Sequence, residues 1–340
     1  MANPKEKDKK TVSELRFDIV SEDWIVIATG RAKRPEDFQK ERRKPILEKK
    51  DCPFCHLETQ LPPVYESKGV VVIPNLYPAF SNPSPSLKKK GSQATIPEEK
   101  VGPYKKMDGI GFHEVIVTKD HNRQIAEFSK EEAREVIEAY YARYTTLMQI
   151  KFVNYISIFH NHGKEAGASL SHPHSQLIAI PIIDPDIKRS LNGSKRYWQK
   201  EGKCPHCRMI RWDIKDKRRI VFENEDFVVL CPFASRVAFE VRIYPKRHEA
   251  YFEKINDREK DNLASALQKA LSSLYKGLED PPYNFFLHTA PCDEEDHSHY
   301  HWHFEIIPKT DMPAGFELAT GIEIATIEPE KAAEHLRKFL

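Results

Sequence analysis

The chain lays out one ordered set of side chains twice, and this internal repeat constrains its fold more than any local propensity. In the first half, Cys52 and Cys55 of CPFC precede the apolar stretch VVVIPNLYPAF and a segment ending Lys119-Asp120-His121. A helix-patterned segment follows, then the strand-like run NYISIF (154–159), then HPHSQLIAIP (172–181). In the second half, Cys204 and Cys207 of CPHC precede FVVLCPF and VRIYPKRH, which ends at His248. Next come Leu263, Leu267, Leu271 and Leu274 on one helical face, then YNFFLH, then HWHFEIIP (301–308). His121 lies 51 residues before His172, and His248 lies 53 before His301. Ser129 opens S-K-E-E with Glu132 in the capping-box position, so the first helix is predicted from there to about Ile150. The repeat predicts an α+β chain of two duplicated units, each an antiparallel sheet with a covering helix. At 340 residues the chain exceeds one ordinary compact core, and the units divide at 1–185 and 186–340.

Each unit supplies two Cys and two His, a donor set that suits tetrahedral Zn²⁺. The first site is Cys52, Cys55, His121 and His172, and the second is Cys204, Cys207, His248 and His301. Four filled positions describe closed structural sites rather than catalytic ones with an open water position. In a reducing compartment, Cys-x-x-Cys spacing points to metal before disulfide. The run His297, His299, His301, His303 reads as one strand with every imidazole on the same face, so any of the four could be the ligand.

The segment GASLSHPHSQLIAIP carries the chemistry. In a strand, His172, His174 and Gln176 alternate onto one face. A neutral imidazole is a good nucleophile toward phosphorus, and the phosphoramidate it forms is labile to the next acceptor. Zinc on His172 would stiffen the backbone that aims His174. A backbone carbonyl accepting from one ring nitrogen of His174 would expose the other for attack. Gln176 cannot protonate a leaving group, but it can hold the non-bridging oxygens of a pentavalent phosphorus by hydrogen bonds. The row therefore favours transfer between phosphates over hydrolysis. In the second unit HWHFE puts Glu305 at the Gln176 position, where a carboxylate repels phosphate, so that half is expected to be degenerate.

Charged residues make up 31% of the chain, yet the formal net charge is +2. That balance argues against a nucleic-acid carrier and leaves room for a small anionic substrate held by a few arginines. The N-terminal MANPKEKDKK has no apolar core, and no apolar run approaches the ~20 residues of a bilayer span. A cytoplasmic chain with no membrane contact is expected. The KERRKPILEKK segment (40–50) is expected to be a solvated loop.

The arrangement CPFC…DH…HPHSQ with a degenerate second copy resembles the galactose-1-phosphate uridylyltransferase family, including plant ADP-glucose phosphorylase, from about Glu14 onward. The resemblance implies tandem histidine-triad-like half-barrels and a homodimer. It also implies a nucleotidyl-histidine at His174 in a ping-pong exchange between UDP-glucose and galactose 1-phosphate. Histidine-triad hydrolases carry a third His where this chain has Gln176. By the same resemblance, Arg31 and Arg34 of GRAKRP, Asn161 and Ser169 meet phosphates, Asn75 of NLYPAF meets the nucleotide, and Glu317 of AGFEL meets the sugar. Two departures keep the substrate open. Asn75-Leu76-Tyr77 stands where uridylyltransferases usually have Asn-Asp-Phe, and the second CPHC is closer to the phosphorylase. The alternatives are therefore an ADP-sugar phosphorylase, using ADP-glucose and phosphate, and a non-catalytic zinc-ribbon binding module.

Overall fold

The computed structural model describes residues 13–28, 47–88 and 95–340. In chain order, β1 (Glu14–Phe17) and β2 (Trp24–Ile27) form a hairpin. Next come β3 (Tyr65–Glu66), β4 (Val70–Pro74), a single-turn helix α1 (Pro85–Lys88), and the hairpin β5 (Glu99–Val101) and β6 (Tyr104–Lys106). The first half is completed by β7 (Phe112–Thr118), α2 (Lys130–Leu147), β8 (Tyr155–His162) and β9 (His174–Ile180). Helices α3 (Pro185–Glu201) and α4 (Pro205–Asp216) lead into β10 (Ile220–Glu223), β11 (Phe227–Leu230) and β12 (Val241–Pro245). The second half ends with α5 (Asp257–Gly277), β13 (Tyr283–His288), β14 (His303–Pro308), α6 (Gly315–Thr320), β15 (Ile324–Ala325) and α7 (Pro329–Arg337).

Ten strands form one sheet in the order β10-β11-β12-β14-β13-β8-β9-β7-β4-β3. Read from either edge, the order of the halves is the same, so the repeat in sequence becomes a two-fold pattern in space. The two predicted sheets are joined at a central antiparallel seam, where Phe286 lies opposite Phe159 and Asn284 opposite Asn161. A separate small sheet sets β15 parallel to β2 and ties the C-terminal segment to the N-terminal hairpin.

Helices α2 and α5 lie side by side on one face of this sheet, and both begin in the same way. Ser129 Oγ accepts from Glu132 N–H (3.2 Å) while Glu132 accepts from Ser129 N–H (2.8 Å). Asn256 and Glu259 make the same reciprocal pair at 3.0 Å each. Helix α2 ends at Leu147, short of the expected Ile150, which closes a following turn through its N–H to Leu147 O. The four leucines expected on one face of α5 are all fully buried, each burial contributing roughly 1.5–3 kcal/mol. One apolar core runs beneath both halves, from Val70 and Ile116 to Phe304 and Leu336. Strand β4 is buried on both faces, which accounts for its unbroken VVVI. Val70 and Val72 join the helix-side core, while Val71 and Ile73 pack on the opposite face with Val115, Val117 and Phe54.

The expected four-histidine strand is not formed. Strand β14 begins at His303, and residues 297–300 close a turn through Tyr300 N–H to His297 O (2.8 Å). Side-chain alternation therefore does not govern His297, His299 and His301, and they diverge. Among the described residues no helix is long and apolar enough to cross a membrane.

Candidate active site

Strand β9 lies between β7 and β8, with Gln176 opposite Val115 on one side and Phe159 on the other. Ser175 and Leu177 face the helices, where the Tyr140 hydroxyl lies 2.5 Å from Ser175 Oγ. His174 and Gln176 therefore face the other way, onto the side of the sheet without α2 and α5. His174 is only 8% exposed. Its Nδ1–H donates to His172 O at 2.9 Å, which fixes the tautomer and leaves the Nε2 lone pair for chemistry. Burial pushes this imidazole below its ordinary range, against the opposing pull of the carbonyl contact, and so favours the neutral nucleophilic form. His172 ends the preceding bend rather than lying in the strand, but the one-residue spacing still keeps it beside His174.

Next to it, Cys52, Cys55, His121 and His172 bring one ligand atom each to within 4.8 Å of one another. Cys55 Sγ lies 3.2 Å from His121 Nδ1, Cys52 Sγ 3.3 Å from His172 Nδ1, and the two Nδ1 atoms are 3.2 Å apart. A tetrahedral ion with ordinary Zn–S and Zn–N lengths has S···N edges of about 3.6 Å and N···N edges of about 3.3 Å, so the group fits such an ion. Both imidazoles donate their other nitrogen to a carbonyl, His172 Nε2–H to Thr118 O (2.6 Å) and His121 Nε2–H to Leu47 O (2.9 Å). Burial pushes His172 down to about 4, which keeps it a neutral ligand. Phe54, between the two cysteines, sets its ring 5.0 Å from that of His174.

The second group repeats this chemistry with Cys204, Cys207, His248 and His301. Cys207 Sγ lies 3.3 Å from His248 Nδ1 and 3.4 Å from His301 Nδ1, and each imidazole again donates to a carbonyl, of Ser298 and of Pro245. Of the four histidines in the 297–303 run, His301 is the one in this group. His297 instead pairs with Asp293 at 3.0 Å. The first group is mostly buried, whereas His248 in the second is exposed.

Other predicted residues fall in different places. Asn75 follows β4 and lies against His113, its Nδ2 3.1 Å from His113 Nε2. His113 Nε2 in turn lies 2.8 Å from Gln176 Oε1, so Asn75 and Gln176 share one network. Asn161 accepts from Asn284 Nδ2 (2.7 Å) and lines a cavity of about 480 Å³ that opens over the seam, one strand from Gln176. Phe159, Phe286 and Arg236 also line it. Ser169 is exposed in the loop between β8 and β9. Glu317 lies in α6, where its carboxylate accepts from Ala314 N–H at its own helix start. Arg31 and Arg34 lie outside the described residues, as does most of the 40–50 segment.

Four residues at or near the site are not marked by the sequence alone. His113 lies on β7 beside Glu114, both buried, and a His-Glu pair opening an otherwise apolar strand is the only signal the sequence offers for it. Phe54 stands between the cysteines, where the Cys-x-x-Cys spacing leaves its identity unconstrained. Arg236 and Arg242 converge on Glu305, with Arg242 Nε at 3.1 Å, and outweigh its burial to hold the carboxyl well below the usual range.

Residues 3–183 match the family profile of the galactose-1-phosphate uridyl transferase N-terminal domain, and residues 190–339 match that of the C-terminal domain. The chain is 34% identical to ADP-glucose phosphorylase of Arabidopsis thaliana, with 96% of this chain and 92% of that protein covered. It is 33% identical to galactose-1-phosphate uridylyltransferase of Thermotoga maritima, covering 96% and 98%. A crystal structure of the Arabidopsis ADP-glucose phosphorylase with bound ADP-glucose superposes with a TM-score of 0.79 at 30% identity, covering 96% and 99%. By both domains and over nearly its whole length, this chain is an enzyme of the galactose-1-phosphate uridyl transferase family.

Proposed function

We propose that the chain exchanges a nucleoside monophosphate between a nucleotide sugar and a hexose 1-phosphate through a covalent adduct on His174. The carrying observation is the His174 Nδ1–H bond to His172 O, which leaves Nε2 unprotonated beside Gln176. Nε2 attacks the α-phosphorus, the P–O bond to the sugar phosphate breaks, and the sugar 1-phosphate leaves as an anion needing no strong acid. A second sugar phosphate then attacks the same phosphorus and the P–N bond breaks. Gln176 and Ser169 hold the phosphoryl oxygens, assisted by Arg31, Arg34 and Asn161. Asn75 serves the nucleotide and Glu317 the sugar.

Cys52, Cys55, His121 and His172, and again Cys204, Cys207, His248 and His301, are the residues that would hold zinc. The ion, when bound, cross-links distant loops and holds His172, and so the carbonyl on which His174 rests. We further propose that the chain divides at 1–185 and 186–340, works as a cytoplasmic homodimer, and binds neither nucleic acid nor membrane.

Labelled glucose 1-phosphate should exchange into UDP-glucose without any second acceptor, and His174→Ala should abolish that exchange. Exchange that survives in the variant sinks the covalent reading. A second reading, phosphorolysis of ADP-glucose, is favoured by the 34% identity to the Arabidopsis phosphorylase and by Asn75-Leu76-Tyr77 at the nucleotide stretch. Release of ADP from ADP-glucose and phosphate, outpacing consumption of UDP-glucose with galactose 1-phosphate, would decide for it.

A further inference from the structure

Gln176 can help a transferred phosphoryl group only if its NH₂, and not its carbonyl oxygen, meets the phosphoryl oxygens. An amide side chain is nearly symmetric in shape, so something must choose between its two flips. The choice is made on β7. Ala79 N–H, which can only donate, lies 3.1 Å from His113 Nδ1, so that nitrogen accepts. The proton of the neutral ring is then on Nε2, which donates to Gln176 Oε1 at 2.8 Å. Asn75 Oδ1 accepts from Tyr77 N–H (2.9 Å), which turns the Asn75 amide nitrogen to the His113 ring. A protonated Nε2 cannot accept from that nitrogen, so Asn75 makes no hydrogen bond to it and the ring proton goes to Gln176 Oε1.

Direction follows from register. His113 lies opposite Ile178, two residues beyond Gln176 on the side away from His174. With its oxygen drawn toward His113, Gln176 turns its NH₂ the opposite way along the strand face that carries His174. We infer that His113 is a positioning residue for nucleotidyl transfer, locking the Gln176 amide with its donor group toward the phosphoryl oxygens at His174. The inference rests on the reading of His174 as nucleophile and Gln176 as its phosphoryl-binding partner. Burial holds His113 below the ordinary histidine range, with the Gln176 contact opposing, which suits a ring that must stay neutral to accept from Ala79. In the flipped amide, an oxygen lone pair would face phosphoryl anions in a poorly solvated site, and one donor to the transition state would be lost.

The test is rapid-quench adduct formation with whichever of UDP-glucose and ADP-glucose labels the wild-type chain. His113→Ala should slow the adduct-forming step about tenfold or more, with nucleotide-sugar Kd and metal content within about twofold. His113→Gln places an amide donor near the lost Nε2–H and should restore most of the rate. In a Gln176→Ala background, His113→Ala should cost no more than about twofold. An equal loss in both backgrounds, or no rescue by Gln in a variant of unchanged melting temperature, overturns the positioning role while leaving the transfer reading intact. If Gln176→Ala itself forms the adduct at the wild-type rate, Gln176 is no phosphoryl-binding partner and the positioning role of His113 falls with it.

Discussion

His303 stands on β14 as His174 stands on β9. Each imidazole donates its Nδ1–H to the carbonyl of the histidine two residues earlier, at 3.0 Å to His301 O and 2.9 Å to His172 O. The halves part at the other nitrogen. His303 Nε2 lies 3.3 Å from Glu305, whose carboxylate is also gripped by Arg236 and Arg242. An internal anion thus holds the position that the proposed mechanism gives to a phosphoryl group in the first half.

One adduct per chain is therefore expected. His303→Ala should still be labelled by a nucleotide sugar, and His174→Ala should not. Glu305→Gln removes one of the two carboxylates that Arg236 and Arg242 share, Glu240 being the other, so the loss should fall short of the roughly 3–5 kcal/mol that a fully broken buried pair costs. Its melting temperature should fall by several degrees. An unchanged melting temperature would show that this ion cluster is not a stabilising plug.

The metal groups differ in exposure, and that difference should govern loss of metal. A chelator should remove one equivalent quickly from the group holding exposed His248, with most activity retained. The second equivalent, from buried Cys52 and His172, should leave slowly and take activity with it. Cys204→Ser should delete only the fast phase. A single phase, or activity lost with the first equivalent, contradicts the assignment.

Much of this site was legible in the sequence, because its parts are local. Cys-x-x-Cys pairs, the capping box at Ser129, and the spacing of His174 and Gln176 depend on neighbours within a few residues. What escaped depends on pairing distant in sequence. Nothing in YISIFH and YNFFLH announces that β8 and β13 meet edge to edge, since a strand's partner is set by the assembled core. His113 acquires its role only when β7 lies beside β9. The 297–303 run was misread because period-two spacing occurs in turns as well as strands, and Tyr300 N–H to His297 O makes it a turn.

Next to His174 in β9, Ser175 bridges two buried groups, the Tyr140 hydroxyl at 2.5 Å and His160 Nδ1 at 3.0 Å. Tyr140→Phe removes one bond and leaves Ser175 paired with His160, so a loss of about 1 kcal/mol is expected. Ser175→Ala strands both neighbours and should cost roughly 2–4 kcal/mol. Denaturant unfolding ranks them, and a Ser175→Ala effect no larger than that of Tyr140→Phe would refute the bridge.

Acid should destabilise the fold through histidines buried in the neutral form. Burial lowers His160 well below its ordinary range and His288 to about 3. Once pH drops below about 6.5 the unfolded chain binds protons that these native side chains refuse, so stability falls by up to about 1.4 kcal/mol per pH unit for each histidine. Their contribution is flat above that pH. Unfolding free energies at pH 7.5 and 5.5 check the slope, and His160→Gln should reduce it by about one proton.

The most direct measurement is the intact mass of the metal-loaded chain after separate exposure to UDP-glucose and ADP-glucose, for wild type and His174→Ala. The account predicts one nucleoside monophosphate on the wild-type chain and none on the variant, with the added mass naming the base. No adduct from either sugar nucleotide, or the same adduct on His174→Ala, would contradict it.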